Sequence, residues 1–452
     1  MFEPNPGVVE LLVINLASAA WMLVATVGAH PFLTLLVTGW TLATAAWGAT
    51  GFLGFAAVLT FGACAWRRLH RRSWLRFATS PWRAAWVYRR RWQPAMVTCR
   101  LAVRVNDREF VPEILTVRST AYVDRVLVQL LVGQAPEEFE AWTSQLGHTF
   151  EALRVKVVAD RPGRIWLEFT HKDPLQGTIT ALQPQEGVDL EALPVGRLES
   201  GQPWKVRLLG SHLLIAGATG SGKGSVLWSL VRALGPAVRD GRVQLWAVDP
   251  KGGMELTPGS AMFARFAYES PAVMVELLED AVSYMRMRTE LLRLAGSRAL
   301  VPSVEDPLIV VVVDEMAALT AYVGDRELKR RAETALQLLL SQGRAPGVLV
   351  VAAAQDPGKD VIGFRDLFPS RIALRLLEDV QVDMVLGRSA RQRGALCDQI
   401  PASMPGVAYV AQEGVREPVR VRAAYVSDAD LAEMVRIYTP TPRLKAVEQA
   451  RS

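Results

Sequence analysis

The run Leu213-Leu214-Ile215-Ala216-Gly217-Ala218-Thr219-Gly220-Ser221-Gly222-Lys223 narrows the possible folds of this chain more than any other stretch. Its apolar start makes a short buried strand, and a glycine-rich loop follows directly. From Ser225 onward, Val226, Leu227, Leu230, Val231 and Leu234 recur at helical spacing. A strand, a glycine-rich loop and a helix in that order form a phosphate cradle. The glycines let the backbone curl so that successive N–H groups point inward at phosphate oxygens. The helix N-terminus adds partial positive charge, and the Lys223 ammonium reaches the β- and γ-phosphates. The expected fold class is therefore α/β with a mainly parallel sheet. The expected ligands are ATP and Mg²⁺, with Gly217 to Ser225 around the nucleotide.

One position departs from the usual pattern. Gly224 stands where a hydroxyl residue normally follows the lysine and coordinates Mg²⁺. Either Ser225 substitutes through a small shift, or water fills the coordination position. The acids expected at the site come from Pro307–Glu315, where an apolar run ends in Asp314-Glu315. Such a run is a buried parallel strand with carboxylates at its C-terminal edge. Asp314 is expected to hold Mg²⁺, and Glu315 to orient and polarise the attacking water. Val348–Ala354 is a further strand ending in Gln355, a candidate sensor of the γ-phosphate. Val243–Val248 is another, ending in Asp249-Pro250-Lys251-Gly252-Gly253. Arg344 and Arg371 are candidates to supply positive charge from a neighbouring subunit, and both are also compatible with surface or packing roles.

The N-terminal region reads as membrane-embedded. No Lys, Arg, Asp or Glu occurs from Leu11 to Trp66. One membrane helix needs about 20 apolar residues, so the run holds at least two spans. The first is expected near Leu11–Gly28. The second lies within Leu33–Trp66, where a break at Gly51 or Gly54 would give three. The run stops at Arg67-Arg68-Leu69-His70-Arg71-Arg72, and positive charge past a span marks the cytoplasmic side. Trp74, Trp82, Trp86 and Trp92 lie among the arginines that follow, as in an interfacial belt. The net charge of +6 favours an acidic partner such as nucleic acid or an anionic membrane surface. Cys64, Cys99 and Cys397 are far apart and odd in number, which argues against a disulfide scaffold or zinc site.

Between membrane and nucleotide loop a small α+β unit is expected. Val97–Val105 alternates as a strand, and Ala121–Leu146 has apolar positions at helical spacing. Leu153–Val158 and Arg164–Phe169 read as a strand pair around Arg161-Pro162-Gly163.

Ser211 through Lys223 resembles the FtsK/SpoIIIE DNA translocases. So do Asp249-Pro250-Lys251-Gly252-Gly253, Gly343 through Pro357, and Pro369-Ser370-Arg371-Ile372-Ala373. Val419-Arg420-Val421-Arg422 with Val426-Ser427-Asp428 is similar to that family's closing strand. The resemblance implies a RecA-like P-loop motor over 196–435, a small α+β domain over 93–195, a membrane anchor over 1–92 and a flexible tail over 436–452. It also implies a homo-hexameric ring at the cytoplasmic membrane, which pumps double-stranded DNA by ATP hydrolysis. Within the family, the short membrane segment and the Gly-Lys-Gly-Ser loop resemble the conjugative transfer proteins of mycelial actinobacteria, with other transfer proteins as partners. The alternatives are a chromosome-partitioning pump, a type VII-like protein secretion motor and a type IV coupling protein. The few residues after Val426 are too short for the winged-helix module of cell-division relatives, so general phosphate contacts or a partner are expected to replace sequence reading.

Overall fold

The computed structural model describes residues 31–70, 74, 79–105, 108–355, 357–358, 363, 365–412, 414–415 and 417–440. The chain divides into two compact units, Met1–Lys172 and Asp173–Ser452. The expected span Leu11–Gly28, the tail from 441 onward, and Arg71, Arg72 and Arg76 lie outside the described residues.

In the first unit a helical stretch runs from Pro31 to Leu69. Among the described residues, Thr38–Leu69 is long and apolar enough to cross a membrane. The stretch is not straight. Gly48 leaves the helical region at φ 57° and ψ −138°, so the break falls there and not at Gly51 or Gly54. Beyond it the chain returns along itself. The Trp40 ring lies 5.0 Å from that of Phe52 and 6.0 Å from that of Phe55, centroid to centroid. In a straight helix Trp40 and Phe55 would stand about 22 Å apart. Gly51 has a different duty: a Cβ there would lie 2.0 Å from the Ala43 carbonyl oxygen.

The α+β unit carries β1 (Val103–Val105), β2 (Arg108–Phe110), β3 (Glu113–Ser119), β4 (Val123–Gln129), β5 (Arg154–Arg161) and β6 (Arg164–Thr170). The last four form an antiparallel sheet in the order β3-β4-β6-β5. The expected β5–β6 hairpin forms, turning at Gly163 with φ 76°. Two expectations are corrected. Arg90–Thr98 is a helix, burying Trp92, Ala95 and Met96 at helical spacing, so only the end of Val97–Val105 is strand. Ala121–Leu146 is not one helix: it opens with β4 and continues as the short helices Pro136–Glu140 and Thr143–Thr149. Asp124, Val126 and Val128 of β4 alternate inward, and ladders on both sides fix the strand. Trp92 is also no interfacial residue. It is 5% exposed and donates its indole N–H to the Pro112 carbonyl at 2.6 Å, whereas Trp82 and Trp86 are exposed.

The second unit is built on one large sheet. Its strands are β7 (Ile179–Thr180), β8 (Leu193–Leu198), β9 (Pro203–Val206), β10 (Leu213–Ala216), β11 (Val243–Val248), β12 (Phe263–Ala267), β13 (Leu308–Val313), β14 (Val348–Ala354), β15 (Ser370–Ala373), β16 (Val407–Gln412) and β17 (Val419–Tyr425). The order is β12-β11-β13-β14-β10-β15-β16-β17-β8-β9, with β7 pairing β17. From β12 to β15 all pairings are parallel; from β15 to β9 they are antiparallel. This sheet thus starts before Gly196, taking in β7 and the first residues of β8.

The central strands are apolar throughout because both faces are covered. Leu213, Ile215, Val310, Val312, Val351 and Ala353 pack with the Lys223–Arg239 helix. Leu214, Ile309, Val311, Val313, Val350 and Ala352 pack with the Pro271–Leu294 and Arg326–Gln342 helices. Tyr268–Asp306 holds one long helix and no large helical insertion. His212, fully buried, accepts the Val350 N–H on Nδ1 at 3.0 Å. Burial, helped by the Arg344 charge, pushes its pKa down to about 4, so the ring is a neutral acceptor.

Candidate nucleotide-binding site

In a parallel sheet the loops leaving the C-terminal strand ends converge on one edge. Here β14 lies between β10 and β13. The phosphate loop after β10, Gln355 after β14 and Asp314-Glu315 after β13 therefore come side by side. They surround a cleft of ≈ 490 Å³, lined by Thr219, Gly222, Lys223, Ser225, Asp314 and Gln355 among others.

The loop's shape is set by close backbone approaches. Gly222, at φ 98°, caps the Lys223–Arg239 helix. A Cβ on it would lie 2.3 Å from the Gly406 amide nitrogen, and that amide donates to the Ser221 carbonyl at 2.8 Å. Gly222→Ala combines left-handed strain of about 1–2 kcal/mol with this backbone clash. Its melting temperature should fall by about 5 °C or more, together with nucleotide binding. A thermal melt and a fluorescent-nucleotide titration matching wild type would disprove this account of the loop.

Lys223 is 9% exposed. Its ammonium donates to the carbonyls of Gly217 at 2.7 Å and Ala218 at 3.2 Å. Burial pulls its pKa down to about 8, with Glu315 opposing the drop and Lys251 adding to it. Gly224 faces open space, so no neighbour demands glycine there. Ser225, one helical position on, lines the cleft.

Asp314 is 4% exposed, and its Oδ2 accepts from the Lys251 ammonium at 2.7 Å. Burial lowers the Lys251 pKa, but the Asp314 hydrogen bond and charge outweigh it and the net shift is upward. Glu315 Oε1 accepts from the N–H groups of Gln355 at 3.2 Å and Ala317 at 3.3 Å. Glu315 Oε2 and the Ser221 hydroxyl are buried without hydrogen-bond partners. Burial raises the Glu315 pKa against the pull of those N–H donors and of Lys251 and Lys223. Thr219 Oγ1 donates to Gln355 Oε1 at 3.1 Å, joining loop and strand end. Oxygen donors at a strand end, together with unsatisfied buried oxygens, fit a hydrated Mg²⁺ carried in with ATP.

Arg344 and Arg371 are not brought to this cleft. Arg344 precedes β14, at the opposite sheet edge, and donates Nε to the Gly210 carbonyl at 2.7 Å. Arg371 lies within β15 opposite Leu214, with Nη1 3.4 Å from Asp366 Oδ1. Arg375 carries no sequence signal, and the motifs named above that contain Arg422 and Lys251 assign them no role at the site. Arg375 donates Nη2 to the Thr219 carbonyl at 2.9 Å. Arg422 Nη1 donates to the carbonyls of Leu175 at 2.7 Å and Gln176 at 2.8 Å, and with Thr178 and Tyr425 it forms one cleft wall. Lys251 sits two residues past β11, and β11 neighbours β13. That adjacency, which places its ammonium on Asp314, has no local sequence signal.

Residues 188–306 match the FtsK/SpoIIIE family, and residues 46–171 match the actinomycete conjugal transfer protein N-terminal domain. The DNA translocase FtsK of Chlamydia trachomatis is 26% identical over 337 residues, covering 67% of this chain and 40% of that protein. FtsK of Staphylococcus epidermidis is 26% identical over 260 residues, covering 53% and 31%. The chain thus spans less than half the length of these curated relatives. The solved pCW3 conjugation coupling protein TcpA, in monomer form with ATPγS, has the same fold. Its TM-score is 0.52 at 20% identity, over 77% of this chain and 98% of that structure. The chain therefore carries an FtsK/SpoIIIE domain of P-loop ATPase type over residues 188–306, preceded over 46–171 by a domain matching the actinomycete conjugal transfer N-terminal type.

Proposed function

We propose that this chain is an ATP-driven double-stranded DNA translocase of conjugative transfer, working as a membrane-anchored homo-hexameric ring. The observation that carries the reading is the meeting of Lys223, Asp314, Glu315 and Gln355 at one sheet edge. Lys223 and the loop N–H groups bind the triphosphate. Asp314 and Ser225 are the residues that would hold Mg²⁺, which neutralises phosphate charge when bound. Glu315 accepts a proton from the attacking water, and Gln355, tied to both Glu315 and Thr219, registers the γ-phosphate. Arg344 and Arg371 lie away from their own cleft and are assigned to neighbouring subunits. The conjugative role is supported by the N-terminal domain match. Anchoring at the cytoplasmic membrane is supported by the apolar Thr38–Leu69 stretch and its terminal Arg67-Arg68, which favour a cytoplasmic motor.

The test is ATP hydrolysis by the full chain in detergent, with and without duplex DNA. Turnover should rise several-fold with duplex, and DNA affinity should fall linearly with salt on logarithmic axes. Turnover indifferent to DNA but stimulated by a secreted protein would replace this reading with a secretion motor.

A further inference from the structure

The contact between Lys251 and Asp314 has an unusual position. Asp314 is buried and stands where an acid takes the cation that accompanies a nucleotide. Its Oδ2 instead receives a side-chain ammonium at 2.7 Å. The lysine's side chain is 32% exposed, its partner's 6%, so the lysine has room to leave and the acid does not. The loop presenting it is organised by a fully buried carboxylate, Asp249. Asp249 accepts the N–H groups of Lys251, Glu255 and Leu256, each at 3.0 Å. Gly252 and Gly253, at φ 70° and 83°, make the turn that follows. Lys251 also lines the same cleft as Lys223.

We propose that Lys251 is a tethered cation that neutralises Asp314 while no divalent ion is bound, and that it transfers to the nucleotide's phosphates when the ion arrives. The proposal rests on the ATP-hydrolysing reading of the cleft. An uncompensated buried carboxylate is costly, and the lysine removes that cost. An ammonium 2.7 Å from Asp314 Oδ2 and a divalent ion on the same carboxylate repel each other across a few ångströms. Binding of the ion therefore frees one positive charge beside a polyanion. Lys251 becomes a second phosphate-contacting ammonium opposite Lys223, present only when the ion is in place.

The experiment uses the full chain in detergent, stripped with EDTA, with a fluorescent non-hydrolysable ATP analogue and titrated magnesium chloride. Without nucleotide, Lys251→Met should lower the Mg²⁺ midpoint, read as a thermal shift, roughly tenfold, since a charged hydrogen bond no longer competes. Lys251→Arg should keep the midpoint at or above wild type. In EDTA, Lys251→Met should melt lower than wild type, and Mg²⁺ should stabilise it more than wild type. At saturating Mg²⁺ it should bind the analogue more weakly. An unchanged midpoint in Lys251→Met overturns the exchange at Asp314, although the cleft still binds nucleotide. Unchanged affinity at saturating Mg²⁺ overturns the transfer to phosphate. A wild-type chain that binds no analogue overturns both the proposal and the functional reading beneath it.

Discussion

Lys223→Ala should lower ATP turnover at least about a hundredfold, the scale seen when one preorganised donor to a developing anion is removed. Nucleotide binding should fall with it. The ammonium is held by the Gly217 and Ala218 carbonyls, which fixes its place in the loop. Its pKa of about 8 leaves it mostly charged at neutral pH. The sign of the pH effect follows. As pH rises from 7 to 9 the ammonium loses its proton, and wild-type nucleotide affinity should weaken. The alanine variant should lack that titration. Burying a charged lysine lowers its folded-state pKa, so the residue costs stability below its unfolded pKa. The variant should therefore melt within a few degrees of wild type, which separates a binding defect from unfolding. Turnover within threefold of wild type, in a folded variant, would remove Lys223 from the mechanism.

Glu315→Gln should separate binding from turnover. Glutamine keeps the volume and one carbonyl oxygen, so the N–H groups of Gln355 and Ala317 retain an acceptor. Nucleotide binding should stay within about threefold of wild type, while turnover falls by about 10²–10⁴, the range for general-base catalysis. The Glu315 pKa is raised chiefly by burial, which makes the carboxylate a stronger base than a surface glutamate. An acid whose folded-state pKa is raised contributes stability below its unfolded pKa and loses it as pH climbs through the folded value. At pH 7 the charged carboxylate is thus a liability, and the glutamine variant should melt at or above wild type. Normal hydrolysis by a correctly folded Glu315→Gln protein would assign water activation to another residue.

The parts of this molecule that are local in the chain could be read from the sequence. The loop Gly217–Lys223 carries its strand before it and its helix after it. The Asp314-Glu315 pair ends a run too apolar to be anything but a buried strand. Long-range pairing was not legible. Val123, Val126, Leu127 and Leu130 suit helical spacing, yet β3 and β6 claim the segment as β4. Trp92 belongs to an arginine-rich stretch, yet its ring is taken into the core beside Tyr88 and Phe150. Gly48, Gly51 and Gly54 look alike in sequence, yet only Gly48 adopts positive φ while Gly51 makes room for Ala43. The strand order decides the site most of all. Insertion of β14 between β10 and β13 brings Gln355 to the nucleotide loop, and the β11–β13 pairing delivers Lys251 to Asp314.

The carboxylate of Asp249 also bears on stiffness. An ordinary loop absorbs a push at one residue by bending between its neighbours. Asp249 gathers the amides of residues 251, 255 and 256 onto a single side chain, and Leu256 is anchored in the core. Residues 251–256 are therefore held as one unit on that anchor. One end of this unit reaches into the cleft through Lys251. The other ends at Met254, whose side chain is 83% exposed.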